Sequence, residues 1–495
     1  MPKKTMKPYW MAGLLMAGLF AVLLGMRFGL FSGLMNPSLP GAAHLADQVL
    51  PEQDTWMSIL QNDKKIGYSH SRLFKTADGY AVAETVFLNI TAMGMRHAVK
   101  LNTSAVLHPD LTVDTFSFKM DSGRLSFSAQ GRVADGRAVV NTTADGKTQS
   151  FEIPLQEAPY LPSGVLHAVT NSSMAPGESM TFSMFDPSIM ATTPVTVTVV
   201  GKETITVLGV DRITTKIHMR MKQAEQFAWL SEDGEVVKES GLMGLTLVKA
   251  EKYDAIAGLS EDAADLVELV AVDAGVRFDN PSALKWLAVE ISGIDINPDR
   301  LSSVRQSFDE QVLTITKESL YGRGDRVPAG RLAPFLLADP FVQSDDPAIR
   351  ELAARITKDH SEPVKKAQAL IDWVYTEIEK RPVVSLPNAL STLRTRQGDC
   401  NEHAVLLAAL ARAAGIPAGI ETGLVYLDGK FFYHAWNSLY VGKWITADAT
   451  FGQFPADVTH IRLAGGTGEG LLDLMGIIGK IQLKVVAFEP AGSQQ

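Results

Sequence analysis

From about Thr55 to Lys252 the sequence is a succession of short alternating segments, and this limits what the chain can fold into more than any other feature. Tyr80–Leu88, Thr115–Met120, Leu125–Ala129, Val195–Val200, Thr204–Leu208 and Ile213–Met219 all carry the pattern. Between them stand Asp78-Gly79, Asp121-Ser122-Gly123, Asp135-Gly136, Asp145-Gly146 and Asp233-Gly234. A period of two sends successive side chains to opposite faces of a strand. Asp-Gly supplies the positive φ angles that tight hairpins require. The pattern therefore predicts an extended antiparallel β domain over residues 55–259. No repeat of fixed length accompanies it. His70, His97, His108, His167 and His218 are scattered through this region without metal-ligand spacing and read as surface or core histidines.

A chain of 495 residues exceeds what one hydrophobic core organises, so two or three domains are expected. Its 46% hydrophobic and 20% charged residues are those of globular protein rather than a disordered one. A net charge of -9, with no Lys/Arg cluster beyond the first residues, excludes a nucleic-acid partner. Lys3, Lys4 and Lys7 precede an uncharged run from Tyr9 to Met26, and apolar character resumes after Arg27 as far as Met35. A bilayer-crossing helix needs about 20 such residues, with the lysines left on the cytoplasmic side. Residues 1–35 are expected to form a cytoplasmic stub and transmembrane anchor, with 36–54 as linker and the bulk of the chain extracytoplasmic. A cleaved signal peptide is the alternative, with Ala43 to Ala46 as a distant cleavage region.

Residues 260–345 read as a mixed β or bridging segment, in which Gln311–Lys317 alternates as a strand. Residues 346–490 change character. Ala348–Thr357 and Glu362–Lys380 have helical spacing, and Val364, Ala367, Ile371, Val374 and Ile378 form one stripe. Cys400, the only cysteine, follows Asp399, which can cap a helix running to Ala414; Gly415 and Pro417 supply its stop. A thiol in a first helical turn feels the positive end of the helix dipole, which favours the thiolate. Beyond it, Ala418–Leu427 and Lys430–Tyr440 read as a hairpin around Asp428-Gly429, and Val441-Gly442-Lys443 leads to Trp444–Ala447. His434 lies on one strand and Asp448 ends its neighbour. A three-residue second turn would put the two on one face, and a two-residue turn would put them on opposite faces. A thiol, an imidazole and a carboxylate in this order are the parts of a Cys-His-Asp acyl-transfer site. In it Cys400 attacks a carbonyl, His434 moves the proton and Asp448 orients the ring.

Arg396-Gln397-Gly398-Asp399-Cys400-Asn401-Glu402-His403-Ala404, the Ala/Leu-rich helix to Gly415-Ile416-Pro417, His434-Ala435-Trp436, and Trp444 with Asp448-Ala449-Thr450 together resemble the bacterial transglutaminase-like superfamily. The resemblance covers about Ala348 to Thr450. It implies a papain-like α+β core with Cys400, His434 and Asp448 as nucleophile, base and orienting acid. The expected fold class is thus α+β: an N-terminal transmembrane helix, an antiparallel β-rich domain and a C-terminal transglutaminase-like domain. The expected location is the bacterial inner membrane, crossed once, with the bulk periplasmic. Superfamily members include crosslinkers, peptidases, amidases and inactive scaffolds, so three functions stay open. Hydrolysis of a peptide or glutamine-type amide comes first, ahead of glutamine–lysine crosslinking and of a non-catalytic envelope scaffold that binds peptide. Envelope proteins are possible partners of the β domain. Gln397 and Trp373 are both open as a second oxyanion donor. Cys400, Glu402, His403 and His434 include zinc-type ligands, but a closed site would need a second paired motif, so neither metal nor cofactor is expected.

Overall fold

The computed structural model describes residues 50–489 apart from positions 93, 124–125, 145–146, 171, 173, 188–189, 223, 242–243, 261–263, 295–297, 323, 325–326, 384–386 and 467–476. Alternation dominates the outcome. Residues 53–249 form one antiparallel 14-stranded sheet. The eight strands of 53–154 follow one another as neighbours, as do the six of 179–249, and Met57 opposite Lys249 joins the two runs. Asp135-Gly136 adopts the paired positive φ angles of a two-residue hairpin, 52° and 71°. Val195–Val200 and Thr204–Leu208 fuse into one strand, Ala191–Val207, whose register shifts at Gly201. The sheet curls strongly, because Phe116 and Phe185 lie far apart in the strand order yet place their rings 4.9 Å apart. Helix α1 (Pro162–Thr170) occupies the interior of the curl, with Val165, Leu166, His167 and Val169 buried. The alternating pattern gave no sign of this helix, whose apolar residues sit one, three and four apart.

The remaining elements build the site. Trp286–Ser292 pairs both with Val312–Thr316 and with the late strand Gln482–Glu489, which ties 260–345 to the end of the chain. Helices α2 (Pro347–Thr357) and α3 (Pro363–Glu377) pack with α4 (Cys400–Ala413) around Ile349, Leu352, Leu370, Ile371, Val374, Leu406 and Leu410. Strands β1 (Val272–Asp273), β2 (Ala418–Leu427), β3 (Lys430–Tyr440), β4 (Trp444–Ala447) and β5 (Ile461–Gly466) form the adjoining sheet. Asn437 bolts helix to sheet, its Nδ2 donating to the Ala404 carbonyl at 2.9 Å and the Gly419 carbonyl at 3.1 Å.

Two expectations are corrected. Among the described residues strand outweighs helix, 49% to 20%, so the fold is β-rich rather than α+β led by a membrane helix. Among the described residues no helix is long and apolar enough to cross a membrane. The 15 residues of α3 span only about 22 Å at 1.5 Å per residue, against about 30 Å of hydrocarbon. Single-pass placement in the inner membrane is therefore unsupported, and the run Tyr9–Met35 on which it rested lies outside the described residues.

Candidate active site

Cys400 opens helix α4, and the local sequence explains why a helix starts there. The Asp399 carboxylate accepts from the Asn401 amide at 2.9 Å, and Glu402 Oε2 accepts from the Asp399 amide at 3.0 Å. This is a capping box, which satisfies amides that a first turn leaves unpaired. A Cβ on Gly398 would lie 2.3 Å from the Glu402 Cβ, so the glycine of Gln397-Gly398-Asp399 is what lets Glu402 fold back. Around α4 nearly every side chain is buried, Glu402 and His403 included. His403 therefore supports the turn from inside, donating from Nδ1 to the Asp399 carbonyl at 2.7 Å.

The sheet leaves a gap for this helix end. Strand β1 covers one edge of β3 at Lys430 and Phe431, while β4 covers that edge from Asn437 to Tyr440. Among the described residues the edge between them carries no strand pairing, and there the Ala435 amide reaches the Cys400 thiol. Tyr440 pairs with Trp444 across a three-residue turn, so Trp436 lies opposite position 448 and His434 lies diagonal to it on the same face. His434 Nε2 donates to Asp448 Oδ2 at 2.7 Å, and both residues are buried. The three residues named from sequence are thus brought to one place: His434 and Asp448 bonded directly, Cys400 against the amide next to His434.

The sequence reading missed what lies behind Asp448. Fully buried His460 donates from Nε2 to the same Asp448 oxygen at 2.9 Å, and its Nδ1 faces Asp457 Oδ1 at 3.2 Å. The Thr450 and Phe451 amides hold Asp448 Oδ1 at 2.7 and 3.2 Å. Arg305, from the bridging segment, pins this loop. Its guanidinium donates to the carbonyls of Ala456 (2.7 Å), Asp457 (2.9 Å) and His460 (2.7 Å) and faces Glu318. The sequence signal was Asp457-Val458-Thr459-His460, an acid and an imidazole three apart. Of the oxyanion candidates, Gln397 pairs with Glu379 in a short parallel ladder, and Trp373 packs on the helical core beneath the Arg396 guanidinium at 4.6 Å. Donor atoms of His434, Asp448 and His460 lie within 4.8 Å of one another, a spacing a cation could bridge, but they already bond to each other.

Charge in the site is uneven. Burial would raise the Asp448 carboxyl, but His434 and His460 outweigh it and hold the group well below the ordinary carboxylate range. Burial would lower His460, but Asp448 and Asp457 raise it above the ordinary histidine value. For Cys400 the outcome opposes the expectation from the helix dipole. Burial first, then Asp399, Glu402 and Asp448, push the thiol well up, with the Ala435 amide pulling the other way. These surroundings favour the thiol over the thiolate, so attack needs a base to take the proton. Asn caps helices as well as Asp does, so Asp399→Asn keeps the turn while removing a carboxylate. The pH profile of Cys400 alkylation should shift to lower pH in that variant.

The raised His460 and the depressed Asp448 and Asp457 set a stability window. His460 contributes fully below its unfolded value of about 6.5, and that contribution is lost as pH rises through its higher folded value. Asp448 and Asp457 contribute above about pH 4, and their contribution is lost as pH falls through their lower folded values. Urea midpoints measured from pH 4 to 9 should decline on the alkaline side, and His460→Asn should flatten that limb.

A cysteine at a helix start beside a strand-borne imidazole held by a buried carboxylate has the parts that thiol acyl-transfer chemistry uses. Residues 350–449 match the family described as the transglutaminase-like superfamily, and this stretch is a transglutaminase-like domain. That membership supports a thiol enzyme of this family. No curated protein matches the chain. Among solved structures, the chain is similar to a Cytophaga hutchinsonii protein solved as a candidate cysteine protease, at 19% identity and TM-score 0.27, over 41% of this chain and 86% of that one. It is also similar to a β-barrel-like protein of a domain of unknown function from Brucella abortus, at 11% identity and TM-score 0.34, over 41% of this chain and 98% of that one. A third similarity is to the periplasmic domain of TgpA from Pseudomonas aeruginosa bound to ethylmercury, at 19% identity and TM-score 0.24, over 37% of this chain and 83% of that one.

Proposed function

We propose that this chain hydrolyses an amide bond of a peptide or glutamine-type substrate through a thioester on Cys400. The observation that carries the reading is the 2.7 Å bond from His434 to buried Asp448, on a strand whose next amide contacts the only thiol. With Nε2 committed to Asp448, Nδ1 of His434 is the nitrogen left to take a proton. As Sγ attacks the carbonyl carbon, its proton passes to His434, and the carbonyl oxygen gains negative charge near the Cys400 amide at the helix start. The C–N bond then breaks, and His434 returns the proton to the departing nitrogen. Water attacks the thioester, gives a proton to His434, and the C–S bond breaks to release the acid and restore the thiol.

Strand alternation puts Trp436 and Ser438 on the face that carries His434. They line a cleft of about 310 Å³ with Phe335, Trp444, Glu421 and Arg462. The Trp436 indole N–H is buried without a partner, so it is a donor a peptide carbonyl could satisfy. Water is the acceptor of choice because it is always present. Incubating the protein with a glutamine-containing peptide, with and without a primary amine, and weighing the products tests this. Free acid should dominate in both. Amine incorporation as the main product would make the enzyme a crosslinker, and no product with any peptide would favour the binding scaffold.

A further inference from the structure

The curled sheet encloses a cavity of about 260 Å³ that the thiol chemistry does not use. Its wall is mostly apolar, with Met57, Met184, Met219 and Met221 supplying flexible thioether surface that adapts to unbranched chains. Polar groups break this surface, among them the carboxyls of Glu84, Glu225 and Glu239 and the imidazole of His167. His167, on α1, is 94% buried by its 6% exposure, and its Nδ1 has no hydrogen-bond partner. A buried, unpaired nitrogen lining an internal cavity is an unsatisfied group that a ligand can satisfy.

We propose that this cavity binds a small aliphatic amine, its ammonium group facing Glu84, Glu239 and His167 and its chain lying among the methionines. None of the described lining residues is Lys or Arg, so the lining itself brings no cation to Glu84 and Glu239. Gln226 Nε2 donates to Glu239 Oε2 at 2.7 Å, which fixes that carboxyl without neutralising it. Burial and the neighbouring Glu84 raise Glu239 to about 7, and burial also raises Glu84, as expected of two acids lacking a counter-ion. Burial lowers His167 to about 4, so its ring is neutral and can offer a lone pair. Two carboxylates and a neutral imidazole are acceptors, and an alkylammonium brings three donors and no acceptor. A fatty acid or an anionic headgroup would instead meet like charge.

Calorimetric titration of the full chain with n-hexylamine, n-hexanol and n-hexanoate at pH 7.5 tests this on the unsubstituted protein. The amine should bind at least about tenfold more tightly than the alcohol or the acid, the margin a charge-assisted hydrogen bond provides. Glu239→Gln and Glu84→Gln should each weaken the amine by about tenfold, with melting curves confirming that the variants fold. Cys400→Ala should bind the amine unchanged, because the cavity is separate from the thiol. Alcohol or acid binding as tightly as amine, an affinity indifferent to Glu239→Gln, or no binding heat with any of the three would overturn the proposal.

Discussion

Replacing Cys400 by alanine is expected to reduce amide turnover by at least about 10⁴-fold while leaving the protein folded. In the proposed reaction the sulfur supplies the bond to the acyl carbon, and no other thiol exists in the chain to replace it. Its structural share is small. The turn is held by Asp399 and Glu402 rather than by the thiol, and the core of α4 rests on Leu406, Leu407 and Leu410. Cys400→Ser should fail almost as completely, since a hydroxyl in the same desolvated place is a weaker acid than a thiol. Product release measured by mass, beside melting curves, separates loss of chemistry from loss of fold. Wild-type turnover in Cys400→Ala would place the reaction elsewhere in the molecule.

The second large effect is expected at Asp448. Asp448→Asn keeps the size of the side chain but removes the charge that sits between His434 and His460. An amide nitrogen facing His434 would turn that ring to the wrong tautomer, at a cost on the order of 10³–10⁴ in kcat. Stability should fall as well. His460 would lose one of the two carboxylates that raise it, so the acid-side support from Asp448 and part of the alkaline-side loss from His460 would both shrink. A variant with normal kcat and a normal urea midpoint across pH 4 to 9 would show that Asp448 neither orients the base nor charges His460.

Local patterns carried most of what was legible. The β region followed from period-two segments and Asp-Gly turns because both are short-range signals. The start of α4 followed from Asp399, and its stop from Gly415, for the same reason. The register of β3 and β4 did not, since a single residue in the turn decides whether His434 and Asp448 share a face. His460 and Arg305 escaped because their meaning arises from contacts across 12 and 155 positions, and the local Asp457–His460 pair carries no sign of Asp448 by itself. The thiol was misjudged for a related reason. The helix dipole is visible in sequence, but the burial and the carboxylates that oppose it appear only when the chain is folded. Helix α1 was hidden by its setting, a short apolar segment inside a sheet whose pattern surrounds it on both sides.

The central claim is that His434 draws the proton from Cys400. Iodoacetamide alkylation, followed by intact mass at pH 7 in wild type and His434→Ala, measures this at the one thiol present. Because its surroundings favour the thiol form of Cys400, the account predicts reaction at neutral pH in wild type and a rate at least about tenfold lower without the imidazole. Equal rates in the two proteins would contradict it, because the thiol would then react without help from His434.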